Sequence, residues 1–135
     1  MKNKERSIFK PVSIPIYRST TFIAINLSDE QLKENLEKHI DSKKTVKRLV
    51  KKSDLEDYQG ITVFAGGYSV VRYESLEDAQ DINIIAHESF HVTCSIMRYI
   101  SLDFSEDSEE AFAYLLGYIT EQYQDIIKLD PEANN

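Results

Sequence analysis

The chain lacks most of what would tie it to an oxidising compartment, a membrane or a nucleic acid. Cys94 is the only cysteine among 135 residues, so no internal disulfide can form and nothing in the composition calls for export. There is no Trp, and only 4 Gly and 3 Pro, which is too few for a collagen-like, linker-rich or low-complexity chain. No apolar run reaches the length needed to span a bilayer. The basic amino terminus does not lead into the apolar stretch of a signal peptide, because Phe9, Val12, Ile14 and Ile16 alternate with Lys10, Pro11, Ser13 and Pro15. The expectation is a soluble, cytoplasmic protein. Positive charge is also short: a net charge of -7 repels phosphate backbones and makes a peptide or protein the expected partner rather than nucleic acid or membrane.

What is present suffices for one domain covering residues 1–135. With 41% hydrophobic and 29% charged residues, the chain can bury one core and has no room for two. Val12 to Tyr17 and Thr21 to Leu27 are β-branched and aromatic runs separated by a turn, and Pro15 suits an edge strand. Ser28 with Gln31 forms a capping-box signal, and Leu32, Leu36 and Ile40 continue it as a helix over about Ser28 to His39. Lys43 to Lys52 repeats basic residues around Val46, Leu49 and Val50, a surface helix whose solvated face could also meet an acidic partner or nucleic acid. Ile61 to Phe64 and Tyr68 to Tyr73 flank Gly66-Gly67 as a hairpin. Two helices follow, over Glu77 to about Ser101 and Asp107 to about Ile127. The predicted class is α+β, a small mainly antiparallel sheet packed on a metal-binding helix pair.

The chemistry is concentrated on those two helices. His87 and His91 stand one helical turn apart on the same face, a rigid bidentate donor for zinc. Glu88 between them is poorly placed to chelate and well placed to take a proton from a metal-bound water. Catalytic zinc needs a third protein ligand, and eighteen residues after His91 comes Glu110, in the run Glu109-Glu110-Ala111-Phe112-Ala113.

The His87-Glu88-Ser89-Phe90-His91 motif with Glu110 resembles the gluzincin zinc metallopeptidases, the group of thermolysin. In their aminopeptidase branch the same spacing leads to a ligand glutamate inside an Asn-Glu-Gly-Phe-Ala run. The likeness covers roughly the last third of the chain and extends, more loosely, to minimal single-domain versions of the motif among uncharacterised phage proteins. It implies zinc as cofactor, His87, His91 and Glu110 as ligands, Glu88 as general base and peptide-bond hydrolysis as the reaction. The additional domains of the large gluzincins and their exopeptidase motif are absent, so substrate specificity does not carry over. The alternative class is a zinc-binding or assembly module without turnover.

Each assignment has a plainer counterpart. Two histidines at this spacing can be a hydrogen-bonded pair, and Asp107 with Glu110 is also a capping-box pattern, which would leave Glu109 as ligand in place of the favoured Glu110. Cys94, two turns beyond His87, is a small core residue or a soft ligand. Tyr114 and Tyr118 could offer a hydroxyl to an oxyanion or simply pack. Gly117 would let the two helices approach closely, and His39 suits a helix end rather than a metal. The strand Tyr68 to Tyr73 is the expected edge against which an extended substrate would lie. The acidic Asp103 to Glu110 segment would balance the basic helix within the fold or between copies.

Overall fold

The computed structural model describes residues 6–56 and 58–129; the basic residues before them lie outside the described part. Its sheet starts with β1 (Ile8–Ile14) and β2 (Ser19–Ile25), an antiparallel pair in which Ile8 faces Ile25 and Ile14 faces Ser19. The turn between them is a short 3-10 segment, Pro15–Tyr17, closed by Arg18 in the left-handed region at φ 48°. The first strand therefore begins four residues earlier than its β-branched run suggests and admits Pro11. That is possible because one side of β1 has no neighbouring strand and a missing N–H there breaks no ladder.

Two helices cross over from β2: α1 (Asp29–Glu37) and α2 (Lys43–Lys52). The Ser28–Gln31 capping box is formed in both directions, and the Ser42 side chain caps α2 through the Thr45 N–H. β3 (Gly60–Ala65) and β4 (Tyr68–Tyr73) then form the glycine-turned hairpin, with Gly66 and Gly67 both at positive φ as a twisted two-residue turn requires. The remaining helices are α3 (Leu76–Gln80), α4 (Ile82–Tyr99) and α5 (Glu109–Leu129). No helix of the described residues is long and apolar enough to cross a membrane.

The sheet order is β1-β2-β4-β3, with β2 and β4 parallel between two antiparallel pairs. The fold is α+β as expected, but the sheet is mixed and carries helices on both faces rather than one. Phe22, Ala24 and Val70 pack with Leu32, Leu36, Val46 and Leu49 under α1 and α2. Ile23, Ile25, Val71 and Tyr73 pack with Ile85, Val92, Ile96, Leu115 and Ile119 under α4 and α5. Successive residues of β2 and β4 thus enter opposite cores, which is why Phe22-Ile23-Ala24-Ile25 is continuously apolar.

Three expectations are corrected. Tyr68 to Tyr73 is an interior strand, and the edge beside α4 is β3. The helix proposed from Glu77 to Ser101 is two helices: Asp81 leaves the helical region at φ -72°, ψ 119°, and its carboxylate accepts from the N–H groups of Asn83 and Ile84 to start α4 afresh. Gly117 has nothing near its missing side chain, so it does not mediate a close helix approach.

Between the layers of the α1/α2 face, Arg72 is almost fully buried. Its guanidinium donates to the carbonyl oxygens of Ser53, after α2, and Leu27, before α1, and pairs with Asp29 at 2.8 Å. Arg72→Met should therefore lower unfolding free energy by about 2–4 kcal/mol by leaving two carbonyls without a charged donor. Asp29→Asn, at an exposed partner, should lower it by less than about 1 kcal/mol. Urea melts followed by circular dichroism measure both.

Candidate functional site

Helix α4 presents its apolar residues to the sheet and to α5, leaving His87 and His91 on its exposed side. The two rings stand edge to face with centroids 4.8 Å apart, and their Nε2 atoms are separated by 3.1 Å. The two nitrogens are hydrogen-bonded to each other, with the donor set by the tautomers. Glu88 lies a third of a turn around the helix, toward β3, and only 4% of it is accessible to solvent.

A buried carboxylate needs donors, and β3 supplies one. Thr62 faces the α4 side because it pairs with Val71 across the ladder and shares that face with it. Its hydroxyl donates to Glu88 Oε2 and also lies 3.3 Å from the Glu88 carbonyl oxygen. The other carboxylate oxygen, Oε1, is 3.9 Å from His87 Nε2. A cleft of about 270 Å³ opens beside them, bounded by Gln59, Gly60, Asn83, Ile84, His87 and Glu88. Gly60 keeps it open, since a side chain there would press on Tyr73 and Ile84 at 3.2–3.3 Å.

Beneath Glu88 the core is unusually polar. The hydroxyls of Tyr73 and Ser89 are buried with no protein partner among the described residues, and those of Thr21 and Tyr123 adjoin each other outside hydrogen-bond geometry. Burial raises the Tyr73 phenol well above its ordinary value, and the Glu88 carboxylate raises it further. Tyr123 is raised by burial first, then by Tyr73 and Glu88. Sequence reasoning missed Thr62, Tyr73 and Tyr123. The available signal was register, because Thr62 is the one hydroxyl residue in the apolar run Ile61 to Ala65 of β3 and alternates onto the face that meets α4.

The donor set fits a metal in part. Neutral imidazole is a usual zinc ligand, and two such ligands at about 2.0–2.1 Å around a tetrahedral ion have nitrogens about 3.3 Å apart, close to the separation found. Yet among the described residues no third His, Cys, Asp or Glu joins them in a group able to hold a metal ion. Cys94 is half-buried on α4. Glu110 is exposed in the first turn of α5, whose first turn follows Ser108 rather than Asp107, with the Phe112 N–H bonded to the Ser108 carbonyl. Tyr123 is the α5 residue that adjoins Glu88, and Glu110 precedes it by thirteen residues, about 20 Å along a helix. The fold thus brings His87, Glu88 and His91 together and leaves Glu110 apart. Tyr114 is exposed and Tyr118 donates to the Ser13 carbonyl on β1, so neither adjoins the imidazoles. His39 lies against Phe9 and Phe22 on the opposite sheet face.

Comparison with known proteins finds no matching family model, no matching curated protein and no matching solved structure.

The buried phenols give the site a pH signature. Their folded-state values lie above the unfolded value of 10.0, so the stability tied to their neutral forms is complete below pH 10 and is lost as pH rises beyond it. The slope should be about 1.4 kcal/mol per pH unit for each phenol. Urea melts at pH 9 and pH 11 should show Tyr73→Phe and Tyr123→Phe each losing less stability between the two conditions than the parent chain.

Proposed function

We propose that this chain is a zinc-dependent peptide hydrolase whose active centre is His87, Glu88 and His91 at the β3 edge. The observation that carries the reading is the close approach of two imidazole Nε2 atoms, 3.1 Å apart, with one oxygen of the buried Glu88 carboxylate 3.9 Å from that of His87. A surface histidine pair alone would not need that carboxylate, whose desolvation is offset on one oxygen only, by the Thr62 hydroxyl.

In this reading His87 and His91 are metal ligands through Nε2. When bound, zinc would supply Lewis acidity, polarising a carbonyl and acidifying a bound water. Glu88 keeps Oε2 on the Thr62 hydroxyl and uses Oε1, on the His87 side, to take a proton from the attacking water and pass it to the departing amine nitrogen. β3, with one unpaired edge, takes the role expected of Tyr68 to Tyr73: an extended peptide can add to it by main-chain hydrogen bonds. Glu110 enters as the proposed third ligand on its spacing from His91, and reaching the imidazoles would require α5 to shift along α4.

That requirement favours a second reading, a zinc-binding or assembly module without turnover. The two imidazoles would then be completed by a donor from outside the described residues.

Purified protein should bind about one zinc ion, and His87→Ala or His91→Ala should abolish binding in a calorimetric titration. Full occupancy in either variant would exclude this pair as the site. Glu88→Gln should keep zinc and thermal stability while losing about 10²–10⁴-fold in cleavage of a broad peptide library. A zinc-loaded parent chain that cleaves nothing in such a library would support the module instead.

Glu110→Gln separates the readings further. As third ligand, Glu110 should be needed for tight binding, and its loss should weaken zinc affinity by at least about tenfold. Unchanged affinity would assign the third position elsewhere.

A further inference from the structure

Basic charge on this molecule is concentrated on one helix, α2, although α1 on the same face of the sheet carries exposed Asp29, Glu30, Glu34 and Glu37, and Asp29 and Glu37 share a cleft with Lys43, Lys47 and Lys51. α2 carries Lys43, Lys44, Lys47, Arg48, Lys51 and Lys52 and no acidic residue, in a chain of net charge -7. All six are exposed, and Lys44, Lys47, Arg48 and Lys51 form one stripe at helical spacing opposite the buried Val46 and Leu49. None of these four is in an ion pair among the described residues. On the far face, the segment leading into α5 carries Asp103, Glu106, Asp107, Glu109 and Glu110, all exposed, and no basic residue.

Beside that acidic segment runs an apolar groove of about 530 Å³, with Pro15, Ile16 and Tyr17 on one wall and Tyr114, Leu115 and Tyr118 on the other. Ile16 is 82% and Tyr114 76% exposed. Gly117, one turn beyond Tyr114 on α5, faces open space. Glycine in a helix interior lowers helix stability, and no packing among the described residues accounts for it, whereas a bare patch beside the Tyr114 ring lets a second helix approach.

We propose that this face of α5 is a docking surface for a second copy of the chain, which seats its α2 there. The lysine stems would lie across the tyrosine rings and their ammonium groups would meet the acidic segment. α2 packs on the α1 face of the sheet and α5 on the other, so the two surfaces cannot meet within one molecule. The contact is head to tail and builds chains or rings rather than a two-fold dimer.

Sedimentation across a concentration series tests this on the full chain. At about 0.02 M salt the average mass should rise with concentration above 15.6 kDa, and at about 1 M salt, where charges are screened within a few ångströms, it should return to the monomer. The double variants Lys44→Glu/Arg48→Glu and Glu106→Lys/Glu109→Lys, with folding checked by circular dichroism, should each stay monomeric at low salt. An equimolar mixture of the two should associate, because each reversed surface finds its complement only on the other variant. Gly117→Gln should raise the melting temperature and weaken association. The proposal fails if the parent chain is monomeric throughout, including the case where it binds only a polyanion such as heparin. It fails equally if the single-surface variants assemble like the parent, if their mixture stays monomeric, or if Gly117→Gln associates undiminished.

Discussion

Everything in this fold depends on β2 and β4 being buried on both faces. A strand that feeds two cores must be apolar at consecutive positions, and helices must cover both sides. Phe22 and Ile23 enter opposite cores one residue apart, as do Val70 and Val71. Polar groups enter such a layer only where something receives them. On one face Arg72 is received by two carbonyls and Asp29; on the other, Glu88 is received by Thr62.

The two polar intrusions have different consequences. Arg72 is held at both terminal nitrogens by groups at helix ends, which fixes the α1/α2 layer, while its Nε is buried without a partner among the described residues. Glu88 is held by one oxygen only, beneath a cleft and beside two exposed imidazoles. A carboxylate kept dry but reachable from one side is the arrangement general-base chemistry uses. Thr62 sets its orientation, and Gly60 keeps the approach clear.

Much of this was legible in the residues. Ser28–Gln31, the paired glycines and the apolar rows of α1 and α2 state their own structure because caps, turns and amphipathic faces are local. The fold class and the His87–His91 face followed from the same locality. Strand order did not, since no periodicity distinguishes an interior β4 from an edge β4; only the parallel pairing with β2 makes that choice. The break at Asp81 was hidden because an aspartate can cap a new helix without interrupting the apolar row. Glu110 has the spacing of a ligand, but spacing along the chain does not set how far α5 is advanced along α4, and that advance is decided by packing of residues such as Ile119 and Tyr123.

The parallel pairing of β2 with β4 also orders events in time. β1–β2 and β3–β4 are hairpins whose ends meet over short loops, whereas Thr20 must find Tyr68 across the whole α1–α2 crossover. Closing that long loop carries most of the entropy loss before any of the double-sided burial is gained. The seam, with the Ser19 hydroxyl latched onto the Gly67 carbonyl at its end, is therefore where the rate of folding is expected to be set, and both the zinc-candidate cleft and the basic helix come into being only once it has closed.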